Sequence, residues 1–310
     1  DVEAVRQQIT AMGDCPLVEG SSTLIKVHVH HFDPSVPLAY GVSQGFITDV
    51  VVENMDAMAA AGMAPDDVKD ELAWGSGRAV QMEANSVHNV GVVVVVPGPG
   101  LEEVFLSLAM GPMAVVQGGQ TMNPSTGDFL DVINALPNRR VIILPNNKNV
   151  VLTARDAAEM SDRVVEVVPT RSIPQGLAAL LAFGDVQESS LDEIVDAMQS
   201  AAAFVITMEV TKSTRSVEKL GDISIEDGDY IVLANDKAVA SSPQMTDAIL
   251  SGFAALELDG RELVTVYYGE EISLQAAESL IERLQVISPK LQFEAVSGGQ
   301  PLYPFLLSIE

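Results

Sequence analysis

The apolar positions change period along the chain, and each change marks an element. Val2–Met12 carries helical spacing, Gly13–Pro16 reads as a turn, and Thr23–His30 alternates as a half-buried strand does. After Asp33-Pro34, an apolar helical stretch at Val36–Tyr40 and a β-rich run at Phe46–Glu53 complete a short α/β unit. The composition then shifts. From about Asn54 to Ser86 the chain is rich in Met, Ala, Gly and Asp, with Gly75-Ser76-Gly77 in the middle. Such a stretch reads as a linker with room for a helix and a domain boundary near it.

From Val87 the pattern becomes regular. Strand Val90–Val96 leads through Pro97-Gly98-Pro99-Gly100 to a helix from Leu101 to about Met110, then to strand Met113–Gln117 and helix Ser125–Leu136. Strand Arg140–Leu144, helix Asn149–Ser161, strand Val164–Val168 and helix Pro174–Phe183 continue the alternation. This grammar predicts a parallel sheet flanked by helices, and the continuous Val/Ile strands suit burial on both faces. A helix at Leu191–Ala203 then precedes short strands at Val205–Thr211, Val217–Leu220 and Tyr230–Ala234, with Asp227-Gly228 and Asn235-Asp236 turns, which predict an antiparallel insertion. Helix Met245–Ala255, strand Leu263–Tyr268, helix Ser273–Val286, strand Gln292–Ala295 and strand Phe305–Ile309 close the pattern. The expected class is α/β: a small α/β unit, then a larger α/β domain with a parallel sheet and an antiparallel, β-rich portion.

Composition narrows the functions open to such a fold. With 310 residues, 47% of them hydrophobic, a large core spread over two or three domains is expected. Lys+Arg number 17 against 43 Asp+Glu, a net charge of -26 that repels a phosphate backbone and leaves nucleic acid without support as a partner. Apolar runs such as Val92–Val96 fall far short of the ~20 residues that cross a bilayer, and no basic-then-apolar leader opens the sequence. The expectation is a soluble, cytoplasmic protein with no integral membrane segment. The lone cysteine, Cys15, excludes an internal disulfide framework and fits a reducing compartment. Arg139 to Arg171 is a locally basic island, with six cations (Arg139, Arg140, Lys148, Arg155, Arg163, Arg171) against four acids. It reads either as cations scattered over helix surfaces or as an anion or partner site.

Five segments carry candidate chemistry. In Lys26-Val27-His28-Val29-His30-His31, strand alternation puts His28 and His30 on one face, where two imidazoles can share a zinc; packed or hydrogen-bonded histidines are the alternative, and a zinc needs further ligands. Gly118-Gly119-Gln120-Thr121-Met122-Asn123-Pro124 and Gly298-Gly299-Gln300-Pro301 form an internal echo, each GGQ directly after a strand. Paired glycines allow positive φ and close backbone approach, so these loops are either tight turns or polar loops that meet a ligand or partner. Asn146-Asn147-Lys148-Asn149 and Thr170-Arg171-Ser172-Ile173-Pro174-Gln175 each follow a strand and open a helix, where backbone N–H groups favour an anion unless Asn147 or Asn149 only caps the helix. In a parallel sheet these loops share the carboxyl edge and converge on one rim. The sequence has no GxxxxGK[ST] loop, no GxGxxG in a dinucleotide unit and no GxSxG elbow, and the second proline of Pro97-Gly98-Pro99-Gly100 removes a donor that a phosphate cradle would use.

The runs Gly118–Ile133, Val141–Ala154, Val167–Phe183, Val264–Glu271 and Gly298–Glu310 resemble the C-terminal region of the ATP-binding subunits of fatty-acid kinases, a dihydroxyacetone-kinase-like group once labelled "Dak phosphatase". The segment from Asp1 through His30 resembles the latter part of that family's middle domain, so the resemblance covers essentially the whole chain. It implies residues 1–58 as part of a middle, metal-binding and dimerising domain, 59–86 as a linker, and 87–310 as a C-terminal domain similar in fold to DegV proteins. It implies an N-terminal domain that binds ATP with magnesium and that this sequence lacks, so that the chain is not expected to be active alone. The family's activity would be phosphorylation of a fatty acid, held by a separate DegV-like binding protein, to an acyl phosphate for phospholipid synthesis. Docking of that partner would fall to the rim of Gly118, Gly119, Gln120, Thr121, Asn123, Asn146, Asn147, Lys148, Arg171, Gln175, Gly298, Gly299 and Gln300. The resemblance also implies zinc at His28 and His30, with the matching cysteine expected before Asp1, and a homodimer. A metal-dependent phosphatase and a direct fatty-acid-binding module are the alternatives.

Overall fold

A computed structural model of the chain describes residues 2–20, 25–31, 33–45, 47, 78–80, 90–119, 123–186, 189–220 and 223–310. The chain divides into two compact units, Asp1–Glu71 and Leu72–Glu310.

In the first unit, helix α1 (Val2–Thr10) buries Val5 and Ile9. Strands β1 (Asp14–Gly20) and β2 (Ile25–His30) pair antiparallel, so the segment expected to turn at Gly13–Pro16 is instead the start of a strand. The ladder slips between Asp14 and Leu17, the place where Pro16, which has no N–H to donate, is tolerated. Val5, Ile9 and Val18 make a small core, joined by Val29 and Tyr40; Tyr40 lies on helix α2 (Ser35–Gln44). The strand expected at Phe46–Glu53 and most of the linker expected at 59–86 lie outside the described residues.

In the second unit, a short strand β3 (Arg78–Val80) lies within the stretch that reads as linker. Strands β4 (Val90–Val96), β5 (Met113–Gln117), β6 (Arg140–Leu144) and β7 (Val164–Val167) run parallel, and β3 closes the edge antiparallel to β5 in the order β3-β5-β4-β6-β7. Helices α3 (Pro99–Ser107), α4 (Thr126–Ala135), α5 (Val151–Met160) and α6 (Ile173–Val186) alternate with them. Strict alternation sends Val92, Val94 and Val96 to one face with α3 and α6, and Val93 and Val95 to the other with α4 and α5. Both faces are covered, which is why the valines of β4 run without interruption. The chain leaves β4 for β5 on one side and β6 for β7 on the other. The loops after β4 and β6 therefore border a switch point at the carboxyl edge.

Helix α7 (Leu191–Phe204) leads to β8 (Ile206–Lys212), the β9 (Val217–Leu220) and β10 (Ile223–Ile225) hairpin, β11 (Tyr230–Ala234) and β12 (Lys237–Ser242). After helix α8 (Met245–Ala254) come β13 (Leu263–Tyr268), α9 (Leu274–Ile287), β14 (Gln292–Ser297) and β15 (Phe305–Ile309). The expected antiparallel portion is present: β8, β11 and β12 pair antiparallel and join the later strands in one mixed sheet, β12-β11-β8-β15-β13-β14, while β9 and β10 make a two-stranded sheet of their own. The returning strand β15 lies between β8 and β13 and welds the two halves. Met208, Val210, Leu307 and Ile309 face α8 and α9, while Tyr267 and Leu306 face the cluster of α3, α6 and α7. The two sheets thus share an apolar seam within this unit. No helix among the described residues is long and apolar enough to cross a membrane.

Candidate functional site

The loops at the carboxyl edge of β4 to β7 gather on one lip, and the Pro97–Gly100 turn is its centre. Gly118 donates its N–H to the carbonyl of Val96 at 2.9 Å, and a Cβ on Gly119 would stand 3.0 Å from Cβ of Pro97. From the other sheet, the loop after β14 meets the same turn. A Cβ on Gly100 would lie 2.5 Å from the carbonyl oxygen of Gly298, an approach only glycine permits. The two GGQ loops therefore flank one turn. Gln300 is 2% exposed and donates from Nε2 to the carbonyls of Tyr267 and Tyr303, both at 3.1 Å, so it braces the seam and does not face solvent.

Asn146 ties the loops after β4, β6 and β7 together. Its φ of 53° is the left-handed conformation that asparagine tolerates better than most residues. In that pose its side-chain amide donates to the carbonyl of Val95 at 2.9 Å, its backbone N–H donates to Thr170 Oγ1 at 3.0 Å, and its Oδ1 accepts from that hydroxyl at 2.8 Å. Helix α6 comes so close that a Cβ at Gly176 would stand 2.0 Å from Asn146 Oδ1. Asn147 is buried and accepts the N–H of Asn149 at 2.9 Å, a local turn in the loop ahead of α5, whose own N-cap, Val150, makes no side-chain cap bond. Gln175 accepts the N–H of Arg171 at 2.9 Å.

Two cations stand on this lip, and one carboxylate holds both. Lys148 Nζ lies 2.7 Å from Asp236 Oδ1, and Arg171 lies 2.9 Å from Asp236 Oδ2. Asp236 and Asn235 form the β11–β12 turn, both with positive φ, as a tight two-residue hairpin requires. Behind them, the hydroxyls of Ser172 and Thr207 meet at 2.6 Å, both buried, and Thr207 donates its N–H to Asn235 Oδ1 at 3.0 Å. Glu209, also on β8, is half-buried. Burial first and the Asp236 carboxylate second push its carboxyl up to about 7, with Lys148 pulling the other way. Beside Arg171 an open groove of about 670 Å³ is lined by Gln175, Asp196, Gln199 and Ser200.

Residues 91–310 match the C-terminal model of the FakA-like fatty acid kinase family, and residues 1–61 match the model of that family's middle domain. The chain belongs to the FakA-like family of fatty acid kinase subunits. It is 32% identical to Protein YloV of Bacillus subtilis over 310 residues, which is 100% of this chain and 54% of that protein. It is 30% identical to an uncharacterized protein of Staphylococcus saprophyticus over 312 residues, again 100% of this chain and 54% of that protein. The chain spans about half the length of the curated relatives it matches. In fold it is similar to the dihydroxyacetone kinase from C. freundii, solved in complex with AMP-PNP and Mg2+, with TM-score 0.52 and 14% identity over 85% of this chain and 57% of that one. It is also similar to the DegV family protein Cg2579 from Corynebacterium glutamicum, with TM-score 0.50 and 14% identity over 72% of this chain and 97% of that one.

Within this family member the residues singled out from sequence fall into three groups. Lys148, Arg171 and Asn123 are exposed on the lip, with Gly119 and Gln175 half-buried beside them. Gly118, Asn146, Asn147, Gly298 and Gln300 are buried supports, and Gly299 is half-buried with a φ of 58°. Gln120 and Thr121 lie outside the described residues, as do the side chains of His28 and His30, which occupy β2 opposite Leu17 and Asp14. The basic island is divided. Arg139 and Arg140 sit at the amino edge of the sheet, and Arg163 there donates to the carbonyls of Asn134, Leu136 and Asn138. Asp236 and Glu209, which organise the cations, are beyond sequence pattern: Lys148 and Asp236 are 88 residues apart.

Proposed function

We propose that the chain is the middle and C-terminal portion of the ATP-binding subunit of a fatty acid kinase. In this reading the lip of its C-terminal domain docks a DegV-like protein that carries the fatty acid, whose carboxylate is phosphorylated to an acyl phosphate. Family membership over residues 91–310 supports the kinase role. The observation that carries docking is the gathering of the loops after β4, β5, β6 and β7 on one accessible face, together with Lys148 and Arg171, in a chain of net charge -26. Phosphoryl transfer relies on positioning and on charge neutralisation by a metal ion. In this reading ATP and magnesium are bound outside this chain, and the part described contributes positioning of the acyl carrier. The fold suits the reading, since it recurs in a kinase solved with AMP-PNP and Mg2+.

Loops tied together by hydrogen bonds suit this task because a preorganised surface loses little entropy when it docks. A cation pair on an otherwise acidic body orients an encounter more than it adds affinity. A pull-down with a fatty-acid-loaded DegV-like protein tests the reading. The wild-type chain is expected to bind, and Arg171→Glu to weaken binding at least tenfold, about 1.4 kcal/mol. No binding by a folded wild-type chain overturns it. For the first unit the proposal is a dimer with zinc held by His28 and His30, whose spacing on a continuous strand suits two ligands of one ion. Metal analysis should find zinc in the chain extended upstream to include the expected cysteine and none in the double variant His28→Ala, His30→Ala of that longer chain; sedimentation should give the mass of two chains.

A further inference from the structure

Glu209 sits behind the Asp236 clamp. It lies two residues along β8 from Thr207, whose hydroxyl meets Ser172 of the first sheet's α6 loop, so strand alternation turns both side chains toward that layer. Its partners across the sheet, Leu233 and Leu306, are apolar. The charged groups that act on it are Asp236, from the β11–β12 turn, and Lys148, from the loop after β6; Arg171, from the loop after β7, holds the other oxygen of Asp236. Asp236 thus bridges one turn of the mixed sheet to two loops of the parallel sheet, and Glu209, on the seam-facing side of β8, is near enough for the two carboxylates to repel each other.

We propose that Glu209 is a proton-controlled catch on the lip: neutral, it leaves the Asp236 clamp closed; ionised, it repels Asp236, competes for Lys148 and draws water into the seam, loosening the lip. The inference rests on the lip being a docking rim, and the catch would adjust how readily that rim reshapes for its partner. The raised carboxyl supports the direction. In a loosened lip Glu209 is hydrated and returns to its ordinary value of 4.5, while the closed lip keeps the proton up to about 7. Opening therefore becomes easier as pH rises from 4.5 to about 7 and levels off above it. Residues 90–310 contain no histidine, the side chain whose ordinary value falls between pH 6 and pH 8.

Hydrogen exchange of the intact chain, expressed as protection factors, reads the catch at three amides: Asn146, Thr207 and Asn235, which donate to Thr170 Oγ1, Asn235 Oδ1 and the carbonyl of Thr207. Protection is expected to fall about tenfold between pH 6 and pH 8 in the wild type. It should be level in Glu209→Gln, and in Asp236→Asn the fall should end at lower pH because a repelling charge is gone. A level wild-type profile overturns the proposal whatever the variants do, and so does a slope that survives Glu209→Gln. Pull-downs at both pH values separate the two readings: a wild-type slope without any partner binding leaves the catch standing and removes the docking role.

Discussion

Asn146 shows how much one side chain carries. It holds three strand-end loops through Val95 and Thr170, in a backbone conformation costly to residues other than Gly, Asn and Asp. Asn146→Ala leaves the Val95 carbonyl without its donor and the Thr170 hydroxyl without its acceptor, and is expected to lower stability by about 2–4 kcal/mol in denaturant titration. Gly176→Ala should disturb the same knot from the helix side, because its methyl would overlap Asn146 Oδ1. Sequence reading finds Asn146 as a strand-end asparagine before a helix, but assigns it to an anion or partner rim. Its inward role depends on Thr170 and Val95, which lie 24 and 51 residues away. The same limit hides Glu209, which in sequence is one polar position in a strand. Substituting it is expected to matter with a definite sign. Since the folded chain holds its proton up to about 7, Glu209→Gln should stabilise the chain at pH 8 by about 2–3 kcal/mol and have little effect near pH 4.

Elements were the most legible scale in this sequence. Strands β4, β5, β6, β11, β13 and β15 have the bounds that alternation and apolar runs predict, because each is bounded by a turn signal or a cap. Ser125 and Ser190 form capping boxes with Asp128 and Glu193, which fix where α4 and α7 begin. Ser190→Ala should cost about 1 kcal/mol by thermal unfolding. Less legible were elements whose existence depends on a distant edge. β1 starts where Gly13–Pro16 reads as a turn, and β3 forms inside apparent linker because the sheet offers β5 as an open edge. Arg163 belongs to the same lesson. It reads as part of a basic island, yet its guanidinium closes the C-terminal carbonyls of α4. Arg163→Ala is expected to lose about 1–2 kcal/mol, with little change in partner binding, since it lies at the edge of the sheet away from the lip.

For the whole molecule, the two sheets of the second unit meet through the Pro97–Gly100 turn, the two GGQ loops and the Asp236 clamp, and these same parts form the lip. A surface built this way presents loops whose shape is set by the seam beneath them, which is what an orienting dock requires. The repeat of GGQ was visible in sequence. That both copies abut one turn was not, because it follows from β15 entering between β8 and β13 and drawing the last strands against the first sheet. The most direct test places a photo-crosslinking residue at Asn123, exposed on the lip, or at Arg139, at the amino edge of the same sheet, and adds a fatty-acid-loaded DegV-like protein. The account predicts a covalent adduct from Asn123 and none from Arg139; an adduct from Arg139 with none from Asn123 would contradict it.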